Sequence, residues 1–265
     1  MWGEKMRVGI IQMMVEAGNV KSNTDRGLSL IKKAKQQKAE LILLPEVWTT
    51  GFAFKKLKEL SKTTPEIIEE VKKLSANTCI CGTYIVDNPN DDKVYNIFYA
   101  IKDGQVIFEY KKTMLFGLTG EDKYFTSGSF KQKNTFNLDG ITIGVSICYE
   151  LRFPEFFRKS AFNGAYIHLH PAIWPKSRLN HWQTLTQARA IENQFFLLTS
   201  NGVGISGKWE LAGHSAIING WGEIMGGLFE KEDAFTLSLP MNEIDTIRNQ
   251  LTSLKDSLKQ FKGMF

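Results

Sequence analysis

Three strand-like runs each deliver a reactive side chain at their C-terminal end. Leu41 to Leu44 leads into Pro45-Glu46, Gln105 to Tyr110 into Lys111-Lys112, and Ile141 to Ile147 into Cys148-Tyr149-Glu150. In α/β folds, functional groups gather just past the C-terminal ends of strands. A carboxylate, an ammonium and a thiol thus occupy topologically similar positions. A cysteine at a strand end is ordinarily a small buried hydrophobe. Cys148, however, lies between an apolar strand and a helix start at Pro154. Unpaired backbone N–H groups at such a start favour an anion, so a stabilised, nucleophilic thiolate is the expectation.

The base that would serve this thiol is left open by these residues. A Cys/His hydrolase would bring one of the four histidines, His168, His170, His181 or His214, beside it. His168 and His170 share one strand face, where a metal pair is conceivable, but no Cys or carboxylate ligand pattern accompanies them. Cys79 and Cys81 also share a strand face and, with no histidine near them in sequence, read as packing residues. Phosphate-loop, dinucleotide and zinc-hydrolase motifs are absent.

Composition narrows the classes further. The 265 residues, 43% hydrophobic and 23% charged, suit one α/β domain spanning 1–265 and exclude a disordered or fibrous chain. Lys and Arg number 33 against 28 Asp and Glu, a net charge of +5. The basic clusters Lys32-Lys33, Lys55-Lys56 and Lys72-Lys73 fall on helix-like segments as solvated faces, so no nucleic-acid partner is expected. No run approaches the roughly 20 apolar residues of a membrane helix. The N-terminal residues lack an apolar signal core, and the odd, low count of three cysteines fits a reducing compartment. A cytoplasmic protein is expected.

Strands that could position the reactive groups are read at 7–14, 41–44, 79–86, 95–101, 105–110, 141–147, 165–169, 195–200, 214–218 and 234–239. Helical periods fill 23–38, with Ser22 or Asn23 as cap, then 66–74 after Pro65, 155–162 after Pro154, 179–193 and 242–258. Alternating strands and helices imply parallel crossovers, while Asp103-Gly104 and similar turns imply antiparallel edges. The pattern reads as α/β, with two stacked sheets and outer helices.

Taken together, the segments resemble the nitrilase, or carbon–nitrogen hydrolase, superfamily. The blocks LLPEVWTTGF (43–52), YKKTMLFGLTGEDKYFTSG (110–128), GVSICYELRFPE (144–155), HWQTLTQARAIENQ (181–194) and GHSAIINGWGE (213–223) carry the resemblance in the family's order. It implies a four-layer αββα sandwich of two mixed sheets, a homodimer or higher homo-oligomer, and no metal or organic cofactor. The tail from about residue 240 would be helical and a candidate for the dimer contact. The resemblance also implies a Glu46–Lys112–Cys148 centre, with Glu121 as the family's second glutamate. In that scheme Cys148 attacks an amide carbon, Glu46 moves protons, and Lys112 with the Tyr149 backbone N–H holds the oxyanion. Met114 stands where many members have histidine, and Glu150 where aspartate is commonest. Both departures bear on the hydrogen bonds behind the centre or on the pocket floor.

PEVWTTGF and the stretch PAIWPKSRLNHWQ look most like the branch that hydrolyses ω-amides of 2-oxo acids such as 2-oxoglutaramate or 2-oxosuccinamate. There, Trp174 and Phe52 would flank the substrate. Arg152, Lys176 and Arg178 are candidate partners for its far carboxylate, although Arg152 could instead hold the Cys148 loop, with Arg189 and Glu192 forming an internal pair. N-carbamoyl amine or nitrile hydrolysis would use the same centre. From a different class, a non-catalytic binding protein retaining the fold is the remaining alternative.

Overall fold

Side chains alternate across a strand, and that alternation sets the layering here. The computed structural model describes residues 5–264. Its strands are β1 (Lys5–Met14), β2 (Leu41–Leu43), β3 (Cys79–Asp87), β4 (Val94–Lys102), β5 (Gln105–Lys111), β6 (Thr135–Leu138), β7 (Ile141–Val145), β8 (Ile167–Ala172), β9 (Phe196–Ser206), β10 (Trp209–Ala212), β11 (Ser215–Ile218), β12 (Ile224–Leu228) and β13 (Asp233–Pro240). One half of the sheet runs β5-β4-β3-β2-β1-β13, and the other runs β6-β7-β8-β9-β11-β12. The ends of β1 and β9 pair in parallel at Met13–Gly202 and Met14–Val203 and so join the halves.

Val8, Ile10, Leu41 and Leu43 share one core with Ile143, Val145, Leu169 and Leu198 of the opposite half. The alternate residues Ile11, Ile42, Leu44 and Ile80 face outward, onto Ile31 and Ala34 of the helix Val20–Gln36 and Ile67 and Val71 of the helix Thr64–Leu74. The helices Pro154–Phe162 and Leu179–Asn193 cover the second half with Phe157, Ala161, Trp182 and Ala190. The result is the expected helix–sheet–sheet–helix order.

The differences from expectation have local causes. The first helix starts early, capped by the Asn19 side chain, which accepts from the Ser22 N–H at 3.3 Å. Neither Ser22 nor Asn23 is the cap. The Asn23 amide is buried and donates to the carbonyls of Glu16 (2.8 Å) and Thr49 (3.0 Å), tying the helix to the loop after β2. The helix expected over 242–258 breaks into Asn242–Gln250 and Ser253–Phe261. At the break, Leu251 turns extended and its carbonyl accepts from Gln194 Nε2 at 2.7 Å. Three strands, β6, β10 and β12, are short and have no counterpart in the sequence reading. β12 contains Gly226 and Gly227, poor strand formers, yet side chains there would run into the Phe235 ring and the Ser215 carbonyl.

Gly27 is a similar case inside the first helix, where its missing side chain makes room for the fully buried Trp48 ring. Gly27→Ala should gain up to about 1 kcal/mol of helix propensity but force a methyl into that ring, an overpacking cost of about 1–3 kcal/mol or more. A net loss of stability is expected, read as a lower urea midpoint. An unchanged or higher midpoint would show that Trp48 yields freely.

Candidate active site

Glu46, Lys112 and Glu121 meet in one buried cluster. Lys112 Nζ donates to Glu46 Oε1 at 2.8 Å and to Glu121 Oε2 at 2.8 Å, and all three side chains are at most 5% exposed. Each is fixed by its own element. The Glu46 N–H reaches the Ala172 carbonyl at the end of β8, and its Oε2 accepts the Ile173 N–H at 3.1 Å. Asn96 on β4 serves two members of the cluster. Its Nδ2 donates to Glu46 Oε1 at 2.9 Å, and its carbonyl accepts the Lys112 N–H at 2.9 Å. Glu121 opens a short helical turn, and its Oε2 also accepts the Phe116 N–H at 3.0 Å.

Cys148 completes the set. Its thiol lies 3.9 Å from the Ile173 carbonyl and close enough to the Glu46 carboxylate for that charge to act on it. Its backbone has φ 45°, and Val47, directly after Glu46, has φ 38°. Left-handed backbone is a strained state for both, severely so for a β-branched residue. The Val47 N–H is held by Thr83 Oγ1 at 2.6 Å. Both strand ends therefore turn sharply and aim their reactive side chains at the same point.

Electrostatics corrects one expectation. Burial, reinforced by the neighbouring Glu46 charge, pushes the Cys148 thiol well above its usual range, with Lys112 opposing only in part. Burial first, and the Glu46 charge second, therefore favour the neutral thiol over a preformed thiolate. Burial also works against the Lys112 charge, yet Glu121 and Glu46 more than offset it and hold the ammonium above its ordinary range. The Glu121 carboxyl is raised by burial against the pull of Lys112. Such a cluster can take a proton from a thiol on demand and can meet an oxyanion with a fixed positive charge.

Above it opens a pocket bordered by Cys148, Tyr149, Phe52, Trp174, Arg152 and Arg178. These include every substrate-side residue expected from sequence except Lys176, whose ammonium pairs with Glu210 (2.8 Å) and Glu230 (3.2 Å) instead. The Arg152 guanidinium sits 4.8 Å from the centre of the Trp174 ring, and that of Arg178 5.6 Å from the centre of Phe116. Among the described residues neither pairs with a carboxylate; Arg152 has only His181 Nδ1, at 3.3 Å. The Cys148 loop is held by Arg189 rather than Arg152. Arg189 donates through Nε and NH2 to the Leu151 carbonyl at 3.1 and 2.9 Å and pairs with Glu192 at 3.0 Å.

Sequence reasoning missed Phe54, Phe116, Trp209 and Leu211 in the pocket wall, and Asn96 behind it. The one available signal for Asn96 was a lone amide in the apolar run VYNIFYAI. The histidine pair takes another form than a metal site. Ser146 Oγ bridges His168 Nε2 and His170 Nδ1, each at 2.8 Å, and burial pushes His170 down to about 3. Among the described residues no group of three or more His, Cys, Asp or Glu is arranged so that it could hold a metal ion.

Known proteins match this chain over nearly its whole length. The family model described as carbon-nitrogen hydrolase matches residues 7–249. A 2-oxoglutaramate amidase of Bacillus subtilis is 34% identical over 260 residues, covering 96% of this chain and 98% of the relative. A hydrolase in the agr operon of Staphylococcus aureus is 32% identical over 255 residues, 94% and 97% of the two chains. Among solved structures, a CN-hydrolase superfamily protein from Xanthomonas campestris, with an arsenic adduct in its active site, superposes with a TM-score of 0.86 at 25% identity, over 96% of this chain and 97% of the other. The chain, an amidohydrolase by this evidence, belongs to the carbon–nitrogen hydrolase family.

Proposed function

We propose that the chain hydrolyses the ω-amide of a small 2-oxo dicarboxylic acid, 2-oxoglutaramate or 2-oxosuccinamate, and releases ammonia. The observation that carries this reading is a pair of guanidiniums without carboxylate partners, Arg152 and Arg178, in the wall of a pocket that opens on the Cys148 thiol. Burial and the like charge of Arg178 already lower Arg152, so an anion between them relieves repulsion as well as gaining hydrogen bonds. The name of the 2-oxoglutaramate amidase relative supports the same substrate class.

In this reading Cys148 Sγ attacks the amide carbon while Glu46 takes the thiol proton. The carbonyl oxygen becomes an oxyanion between Lys112 and the Tyr149 N–H, a donor of this kind being worth about 3 kcal/mol. Glu46 returns the proton to nitrogen, the C–N bond breaks, and ammonia leaves a Cys148 thioester. Water, deprotonated by Glu46, then adds to the thioester carbon. Its collapse frees the carboxylic acid and restores the thiol. Glu121 keeps Lys112 charged and aimed, while Phe52 and Trp174 flank the acyl chain.

Ammonia release from 2-oxoglutaramate, 2-oxosuccinamate, glutamine, a carbamoyl amine and a simple nitrile tests the substrate. Turnover of a 2-oxo acid amide well above the others is expected, and its absence overturns the reading. Arg152→Ala and Arg178→Ala should each lower kcat/KM for 2-oxoglutaramate by roughly 10- to 100-fold, as for loss of a charged hydrogen bond. Turnover of an uncharged amide should change little. Equal losses on both substrates would mean the arginines shape the pocket rather than bind a carboxylate.

The reading further takes residues 1–265 as one domain that pairs as a homodimer in the cytoplasm. Exposed Ile191, Trp221 and Ile224 support pairing, and three free cysteines suit a reducing compartment. No helix among the described residues is long and apolar enough to cross a membrane. Light scattering on the purified chain reads the oligomer directly, and a monomer would remove that part.

A further inference from the structure

Glu150 is fully buried and takes no part in the pocket wall. Its Oε1 accepts the Thr113 N–H at 2.7 Å, the Met114 N–H at 3.2 Å and the Tyr110 hydroxyl at 3.0 Å. Its Oε2 accepts the Ile147 N–H at 2.7 Å. Thr113 directly follows Lys112, and Ile147 directly precedes Cys148. We infer that Glu150 is a positioning residue whose ionised carboxylate fastens the lysine loop to the cysteine loop and so sets the ammonium against the sulfur.

The donor count favours the anion. Three of the four partners are backbone N–H groups, which can only donate. A proton on Oε2 would face the Ile147 N–H, and one on Oε1 would face Thr113 and Met114. Only the Tyr110 hydroxyl can turn round and accept. The other titratable groups nearby are committed elsewhere. Lys112 points its ammonium at Glu46 and Glu121, and Arg189 points to the Leu151 carbonyl and Glu192. His170 bonds Ser146, while Cys148 and Arg152, on the same turn as Glu150, face the pocket. With no cation paired to it among the described residues, Glu150 is pushed by burial up to about 7, against the pull of its hydrogen bonds. The sign follows: the carboxylate, and with it the tie, is present above that pH and is lost as pH falls below it.

This inference rests on the roles given above to Cys148 and Lys112. Glu150→Gln should lower kcat by roughly 10- to 100-fold at pH 8 while KM stays within about threefold, because one amide hydrogen must now face a backbone donor. It should also slow iodoacetamide labelling of Cys148 and remove the part of the acid limb of kcat that Glu150 sets. Tyr110→Phe deletes a neutral donor to the carboxylate, so the same limb should move to higher pH; this variant decides the matter if Glu150→Gln does not fold. A folded Glu150→Gln with kcat and limb unchanged, or a limb unmoved in Tyr110→Phe, overturns the inference. Activity surviving in Cys148→Ala would instead overturn the reading of the centre on which it rests.

Discussion

Cys148→Ala is expected to abolish ammonia release, with kcat falling by roughly 10⁵- to 10⁶-fold, the scale on which removal of a catalytic nucleophile acts. The variant should still fold. The Cys148 thiol is a weak hydrogen-bond donor to the Ile173 carbonyl at 3.9 Å, whereas the Lys112 ion pairs do not involve it. Substrate binding should persist for the same reason, since the guanidiniums and aromatic walls are untouched. Isothermal titration with 2-oxoglutaramate would then report binding without turnover. In the wild type, a thioester should accumulate on Cys148 when deacylation is slow and be visible as added mass. Turnover within about 10² of wild type in Cys148→Ala would mean that another group attacks the amide.

The trio was legible because each member sits where a strand run stops, and strand ends are marked by local composition. Its charge state was not. A helix start after Cys148 suggested a thiolate, but burial of the thiol opposes its charge first, and Glu46 and Glu121, 102 and 27 residues upstream, add to that. Lys176 and Arg178 illustrate a second limit. They are two residues apart on one short helical turn, Lys176–Arg178, so their side chains leave in different directions. One meets Glu210 and Glu230, and the other enters the pocket. Composition carries no sign of that rotation. Trp209 and Leu211 reach the site on β10, a four-residue strand placed by its pairing to the end of β9. The hairpin is local, turning at Gly207-Lys208, but its exposed Trp209 and Glu210 leave no apolar run to mark a strand. The layers were more legible, because apolar strand runs and helical periods follow one another along the chain, whereas the glycines of β12 hide a strand behind a packing need.

Glu46→Gln separates the base from the scaffold. Glu46 accepts from Asn96 and Lys112 on Oε1 and from Ile173 on Oε2. A glutamine oxygen can keep the first two only by turning its NH2 towards the Ile173 N–H, so one contact is lost and two remain. Lys112 then retains its ion pair with Glu121. The centre should therefore stay assembled while losing its proton carrier, and kcat should fall by roughly 10³- to 10⁴-fold, the upper range for general acid–base catalysis. A second readout should move the opposite way. The Glu46 charge is one of the causes that raise the Cys148 thiol, so its removal should bring the thiol down. The pH at which iodoacetamide labelling of Cys148 accelerates should then fall even as turnover collapses. A scaffold role alone predicts neither combination: misplaced groups would slow both reactions together. If kcat stays within tenfold of wild type, Glu46 is not the base, and Glu121, the other carboxylate on Lys112, becomes the residue to test.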